Sequence, residues 1–393
     1  MYIINFRKSL IAAAIAMIAS TAWAQSSTKV TVNDINQTQQ GAAANQALDL
    51  GNASKGGSAS VNAKNINQSQ TAAGAIQKMA VGNAAGGKTS VNVGNVSQSQ
   101  TALGGTQSMS VGNANPGGNA KVTAGNISQT QAGLGARQKM AIGDADRGKS
   151  NVKLGSTVTQ AQLGAGANQE MNLGSVSGTG SSNVRIGGPV LQGQAAALST
   201  QKMDIGSSSG NGKSNVNIAG PVLQGQAGAA QRQNMQIGTA SGQGQSNVRM
   251  GAVVQGQAGL ANNQDMKIGN ASGSGKTNVI MGAAGQVQGG AGNNQEMKIG
   301  NASGGGRSNV AIGAVGQAQV GLLQNQQVEV GNSKGGTANV AIGAIVQGQA
   351  GMGNSQQIKV GNANTGSTAV VTGAIVQGSA GMGQVNKINI GNN

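Results

Sequence analysis

Ser182-Asn183-Val184-Arg185-Ile186-Gly187-Gly188-Pro189-Val190-Leu191-Gln192-Gly193-Gln194-Ala195, followed after a short turn by Gln201-Lys202-Met203-Asp204-Ile205-Gly206, decides how this chain folds. Val184 and Ile186 fall on one face with Arg185 on the other. Val190, Gln192 and Gln194 share a face, and Gln201, Met203 and Ile205 point inward with Lys202 and Asp204 outward. Period-2 alternation over short segments bounded by Gly, Asn and Ser turns marks half-buried strands, and no segment carries a helical period. Each such unit therefore holds three short strands.

The unit recurs without a break from about Ser26 to Asn393, in twelve copies of about 31 residues, here numbered coils 1 to 12. One glutamine anchor falls at Gln37, Gln68, Gln98, Gln129, Gln160, Gln192, Gln224, Gln255, Gln286, Gln317, Gln347 and Gln377, at intervals of 30 to 32 residues. A second anchor follows nine residues later at Gln46, Gln77, Gln107, Gln138, Gln169, Gln201, Gln233, Gln264, Gln295, Gln326 and Gln356, with Asn386 in the last copy. A fixed period of this size means stacked units, none of which can bury its apolar face alone. The expected fold is all-β: a parallel β-solenoid of about twelve coils, with strands ~4.8 Å apart and a rod ~58 Å long.

Spacing locates the bends. From the first valine to the glutamine anchor is seven residues in most copies, as in Val61 to Gln68, but eight in coils 5 to 7, as in Val152 to Gln160. An insertion inside a strand would turn every later side chain to the wrong face, so it must fall at a corner, near Gly187-Gly188-Pro189 and Ala219-Gly220-Pro221. Gly-Asn pairs such as Gly82-Asn83 and Gly269-Asn270 suit left-handed backbone at tight corners. Buried glutamine is costly unless its amide is paired, and stacked glutamines pair with the copies above and below. The expected structural ladder includes Gln68, Gln77, Gln98, Gln107, Gln192, Gln201, Gln224, Gln233, Gln255 and Gln264. A disordered Gly/Ser/Gln/Asn-rich chain is the competing reading; regular Val, Ile and Met columns oppose it, because a solvated linker has no reason to alternate.

Residues 1–24 stand apart. Arg7 and Lys8, an apolar stretch from Leu10 to Ile18, and Ala22-Trp23-Ala24 read as a cleaved secretory signal, too short to span a bilayer comfortably. Its removal takes Tyr2, Phe6 and Trp23, the only aromatics, and leaves a chain with no cysteine or histidine. That composition excludes disulfides, thiolate zinc sites and imidazole bases. The charge falls from +16 to +14, since 25 − 2 = 23 basic residues face nine acids.

Several motifs look chemical. Gly82 to Thr89 and Gly143 to Ser150 match a phosphate-cradling loop, but that loop needs a helix after it and here a strand is expected. Asp144-Ala145-Asp146 occurs once, whereas calcium-binding rolls repeat their ligands, so a solvated acidic turn is expected. No carboxylate pair is placed to converge in a cleft, so no glycosidase and no enzyme is expected. Lys88, Lys149, Lys213, Lys276 and Arg307 share one position before the first strand, and Arg185 and Arg249 project from its outer face. Stacking would align them as a discontinuous basic ridge, either for polyanions or as a charged edge that limits lateral sticking.

Ile66-Asn67-Gln68-Ser69-Gln70 followed by Gln77, and Val253 through Gly259 followed by Asn263-Gln264, resemble curlin repeats, and the chain is also similar to the Gly/Asn/Gln-rich repeats of Fap-type fibrils. The units here are longer than curlin repeats and lack their aromatics. The resemblance implies a secreted functional-amyloid subunit that polymerises on the cell surface and scaffolds biofilm, with dedicated secretion or nucleation factors; it carries over no catalytic residue. The expected partners are further copies of the chain, head to tail, with extracellular nucleic acid or acidic polysaccharide at the ridge; no cofactor and no membrane span are expected. The alternative is a monomeric cell-surface adhesin or polyanion-binding solenoid. An ice-binding solenoid would want flat threonine arrays, which are missing.

Overall fold

The computed structural model describes residues 27–391 except Lys55, so the signal reading for residues 1–24 lies outside the described residues. Among the described residues the chain is entirely β, with no helix. Strands pair parallel with their equivalents one repeat away, as in Val158↔Val190↔Val222 and Met171↔Met203↔Met235, giving a β-solenoid of about twelve coils.

Coil 6 shows the unit in full: a first strand Ser181–Ile186, a second Val190–Ala195 and a third Leu198–Ile205. In coil 9 the first two run together as Lys276–Ala291, yet the chain still bends, because Met281 and Ala284 both face inward with only Gly282 and Ala283 between them. Coil 6 spends three residues on the same bend, Gly187-Gly188-Pro189, so the extra residue is absorbed there and the ladders on both sides stay in register. Pro189 has no amide hydrogen to offer but its carbonyl accepts from Val158 N–H at 3.0 Å.

The third strand ends at a left-handed glycine. Gly82 has φ +66°, and a Cβ there would lie 2.7 Å from Val122 Cγ2 and 2.8 Å from Val91 Cγ2. Conformation and crowding both require glycine at that corner. The connector beyond it is more ordered than turn chemistry suggests. Ala53–Ser54, Ala84–Ala85, Ala114–Asn115, Ala145–Asp146 and Val176–Ser177 stack as a parallel ladder of their own. Ser208, Ala240, Ala271 and Ala302 continue it as single bridges. Two residues are too few to show alternation, which is why only the column of small side chains betrays this strand.

The core is a set of columns. Met171, Met203 and Met235 are fully buried along the third strand, as are Val158, Val190 and Val222 along the second. Among the described residues no aromatic fills it; close packing comes from stacking like on like.

Candidate functional site

The inward glutamines form three ladders, each bond running from Nε2 of one coil to Oε1 of the coil before it. The first-anchor ladder passes from Gln377 through Gln347 back to Gln37, and Gln192 donates to Gln160 at 2.9 Å while accepting from Gln224 at 2.8 Å. Further along it, Gln68 donates to Gln37, Gln98 to Gln68 and Gln255 to Gln224. The second-anchor ladder links Gln77 to Gln46 and Gln107 to Gln77, and carries on through Gln201, Gln233 and Gln264. A third ladder, two residues after the first, joins Gln70, Gln100 and Gln131 and continues to Gln349.

A fourth polar column is absent from the sequence reading. Ser182 is fully buried and its hydroxyl donates to the Gly143 carbonyl at 2.5 Å; Ser150 does the same for Gly112 at 2.6 Å and Ser214 for Gly174 at 2.5 Å. The signal was a Ser or Thr two residues before the first valine in most coils. Thr89 and Ser150, the last residues of the two phosphate-loop matches, belong to this column, and a strand rather than a helix follows each glycine turn.

The residue after each corner glycine forms a further column, and where it is Asn or Asp its side-chain oxygen accepts the backbone N–H of the next coil: Asn52 from Asn83, Asn83 from Asn113, and Asn113 from Asp144, at 2.8 to 2.9 Å. Asp144 stands in this column and accepts Ser175 N–H at 2.9 Å. It is therefore recessed rather than a solvated turn residue. Asp204, expected to face solvent, is also partly buried, and its Oδ1 has no partner. Both line a groove of about 450 Å³ with Ser175, Ser207 and Asp146. Among the described residues no group of three or more His, Cys, Asp or Glu is placed to hold a metal.

Burial pushes the Asp144 carboxyl up to about 7, against the Ser175 N–H and with the help of the Asp204 charge. Burial also raises Asp204, opposed by Ser207 and Lys202. A raised carboxyl keeps in the folded state a proton that the unfolded chain has released. Stability therefore falls as pH rises from about 4 to about 7, then levels. Asp144→Asn restores the amide that the three preceding coils carry at Asn52, Asn83 and Asn113. Its melting temperature should exceed that of the parent at pH 8 and match it at acid pH, in a thermal scan across that range; parallel curves would contradict the assignment.

The basic residues fall where stacking requires. Lys88, Lys149, Lys213, Lys276 and Arg307 occupy one column, interrupted by Asn119, Ser181 and Gln245. Arg185 and Arg249 lie in a second column, separated by Asn217. All seven are exposed and none is ion-paired with another described residue, whereas Glu170, Asp265, Glu296 and Glu329 each pair with a lysine, as in Lys359–Glu329 at 3.1 Å.

The two ends of the described stack differ chemically. Gln46 in coil 1 keeps an unpartnered Nε2 donor, while Gln349 and Gln356 in coil 11 keep unpartnered Oε1 acceptors. The acceptors are open because coil 12 carries Ser379 and Asn386 in two ladder positions, and these bond to each other at 2.9 Å. Ile358 and Val360 in coil 11 are buried, but their equivalents Ile388 and Ile390 in coil 12 are 44% and 60% exposed.

Comparison with protein-family models, curated proteins and solved structures finds no match for this chain. No helix among the described residues is long and apolar enough to cross a membrane.

Proposed function

We propose that the protein is a secreted structural subunit that assembles end to end into extracellular fibres, of the functional-amyloid kind that curlin-like and Fap-like repeats suggest. Its role is structural rather than enzymatic. The observation that carries the reading is the common polarity of the glutamine ladders: every bond runs from Nε2 of one coil to Oε1 of the coil before, so Gln46 in coil 1 keeps an open donor while Gln377 in coil 12 donates back to Gln347 and has no later described coil to accept from. Edge strands with free amides and carbonyls template further strands, and a head-to-tail contact that never closes gives a filament. At such a junction Gln37 of one copy would meet Gln377 of the next, while Ser379 and Asn386 offer shorter acceptors to Gln39 and Gln46. Joints between molecules would thus be weaker than joints between coils. Incubating the purified protein at neutral pH and imaging it by negative stain tests this: unbranched filaments are expected, and particles that stay single and rod-like at high concentration would refute it.

The unpaired basic columns favour a second role on the same scaffold, capture of extracellular nucleic acid or acidic polysaccharide. With no aromatic among the described residues, binding would be sequence-blind and would weaken steeply with salt. Under the alternative of a monomeric adhesin, this surface would act alone.

A further inference from the structure

The outer face of the second strand has a composition unlike the rest of the surface. Each coil presents three outward positions there. Coil 1 shows Asn36, Thr38 and Gln40, and coil 2 shows Asn67, Ser69 and Thr71, an ordinary wet face. From coil 6 onward every such position is Gly, Ala, Val or Leu. Coil 6 carries Leu191, Gly193 and Ala195, and coil 7 carries Leu223, Gly225 and Ala227. In coil 9 the bulk moves to Val287 between Gly285 and Gly289, and in coil 10 to Val320 beside Gly316 and Ala318. Each coil thus holds one knob and two small residues, and the knob changes column.

The glycines have no local cause. Gly193, Gly225, Gly256 and Gly348 do not take positive φ, and a Cβ on any of them would meet nothing within 4 Å. Glycine inside a strand weakens it by roughly 0.5 to 1 kcal/mol relative to alanine. Its recurrence without crowding or strain marks a face that another backbone approaches closely.

We propose that this face, from coil 6 to coil 12, is a dry lateral interface that packs against the same face of a second copy of the chain. It goes beyond end-to-end growth, since it joins rods side by side. Three arguments select a second copy. A chain of net charge +16 keeps this face free of charge, which is no surface for a polyanion. Every coil supplies one knob and two hollows, so a sheet with the same ~4.8 Å rise meets it coil by coil, as in the interdigitated zippers of cross-β assemblies. Seven coils by three residues cover roughly 650 Å² from strand dimensions. The neighbouring turn column, where Leu260, Leu322, Met352 and Met382 are exposed, widens this toward the ~800 Å² per partner of a stable interface. A two-fold pairing is self-complementary and closes.

The test places three lysines on this face, Ala195→Lys, Ala227→Lys and Ala258→Lys, all at exposed positions. Its control places three in the same column of the wet coils, Gln40→Lys, Thr71→Lys and Thr101→Lys, with equal added charge. The full chain is measured by sedimentation velocity before fibres form and by mass per length afterwards. The parent and the control should sediment as paired rods and give twice the mass per length of the Ala-face variant, whose pairing weakens at least tenfold. Gly193→Leu with Gly225→Leu fills the hollows without charge and should also weaken pairing, which covers a failure of the lysine variant to fold. Single rods in the parent, or identical behaviour of the two lysine variants, would overturn the inference. Because filament length reports end-to-end growth and mass per length reports lateral pairing, the two can fail separately.

Discussion

Replacing Gln192 and Gln224 together by lysine should cost the solenoid at least ~4 kcal/mol and unravel its middle coils, because two ammonium groups would be buried one coil apart with no counter-charge. Both side chains are 1% exposed, and both sit inside the first-anchor ladder. The change also strands the Gln160 acceptor and the Gln255 donor, which lose their bonds to Gln192 and Gln224. Lys202→Gln, on the exposed face of the adjacent strand, supplies the contrast and should move stability by less than ~0.5 kcal/mol. Denaturant unfolding followed by circular dichroism reads both. Similar shifts for the two would mean that the glutamines are not the interior.

Ile388→Lys with Ile390→Lys should stop fibre elongation while leaving the monomer folded. Both residues occupy inward positions of the last described strand, and both are exposed, with no further described coil over them. In the monomer the lysines stay in water and cost little. In a fibre the next copy would bury them, at several kcal/mol per charge, which amounts to orders of magnitude in end affinity. Seeded growth, followed by light scattering, should show parent monomers extending parent seeds and variant monomers failing to extend one another. Undiminished growth of the variant would remove the end face from the assembly.

Most of the fold was legible because repetition turns weak local signals into columns. One short alternating segment such as Val184-Arg185-Ile186 is ambiguous; its recurrence in register over twelve copies is not, and the constant spacing from Gln68 to Gln77 and from Gln192 to Gln201 placed both ladders from the sequence alone. What stayed hidden were features that depend on the neighbouring coil. Ser182 shows no role at the start of its strand until its hydroxyl is seen to donate to Gly143, 39 positions earlier. Asp144 reads as a solvated acid until its place in the asparagine column, accepting Ser175 N–H, is known. The connector strand at Ala145–Asp146 is too short to alternate. Gly193 and Gly225 are simply outward strand positions in the sequence, and only their open surroundings in the fold single them out.

X-ray diffraction from aligned fibres tests end-to-end stacking most directly. Coils that continue from one molecule into the next place every strand across the fibre, so a sharp reflection near 4.8 Å should lie on the meridian. A 4.8 Å reflection on the equator, which would set the strands along the fibre, or the absence of any ordered fibre, would contradict it.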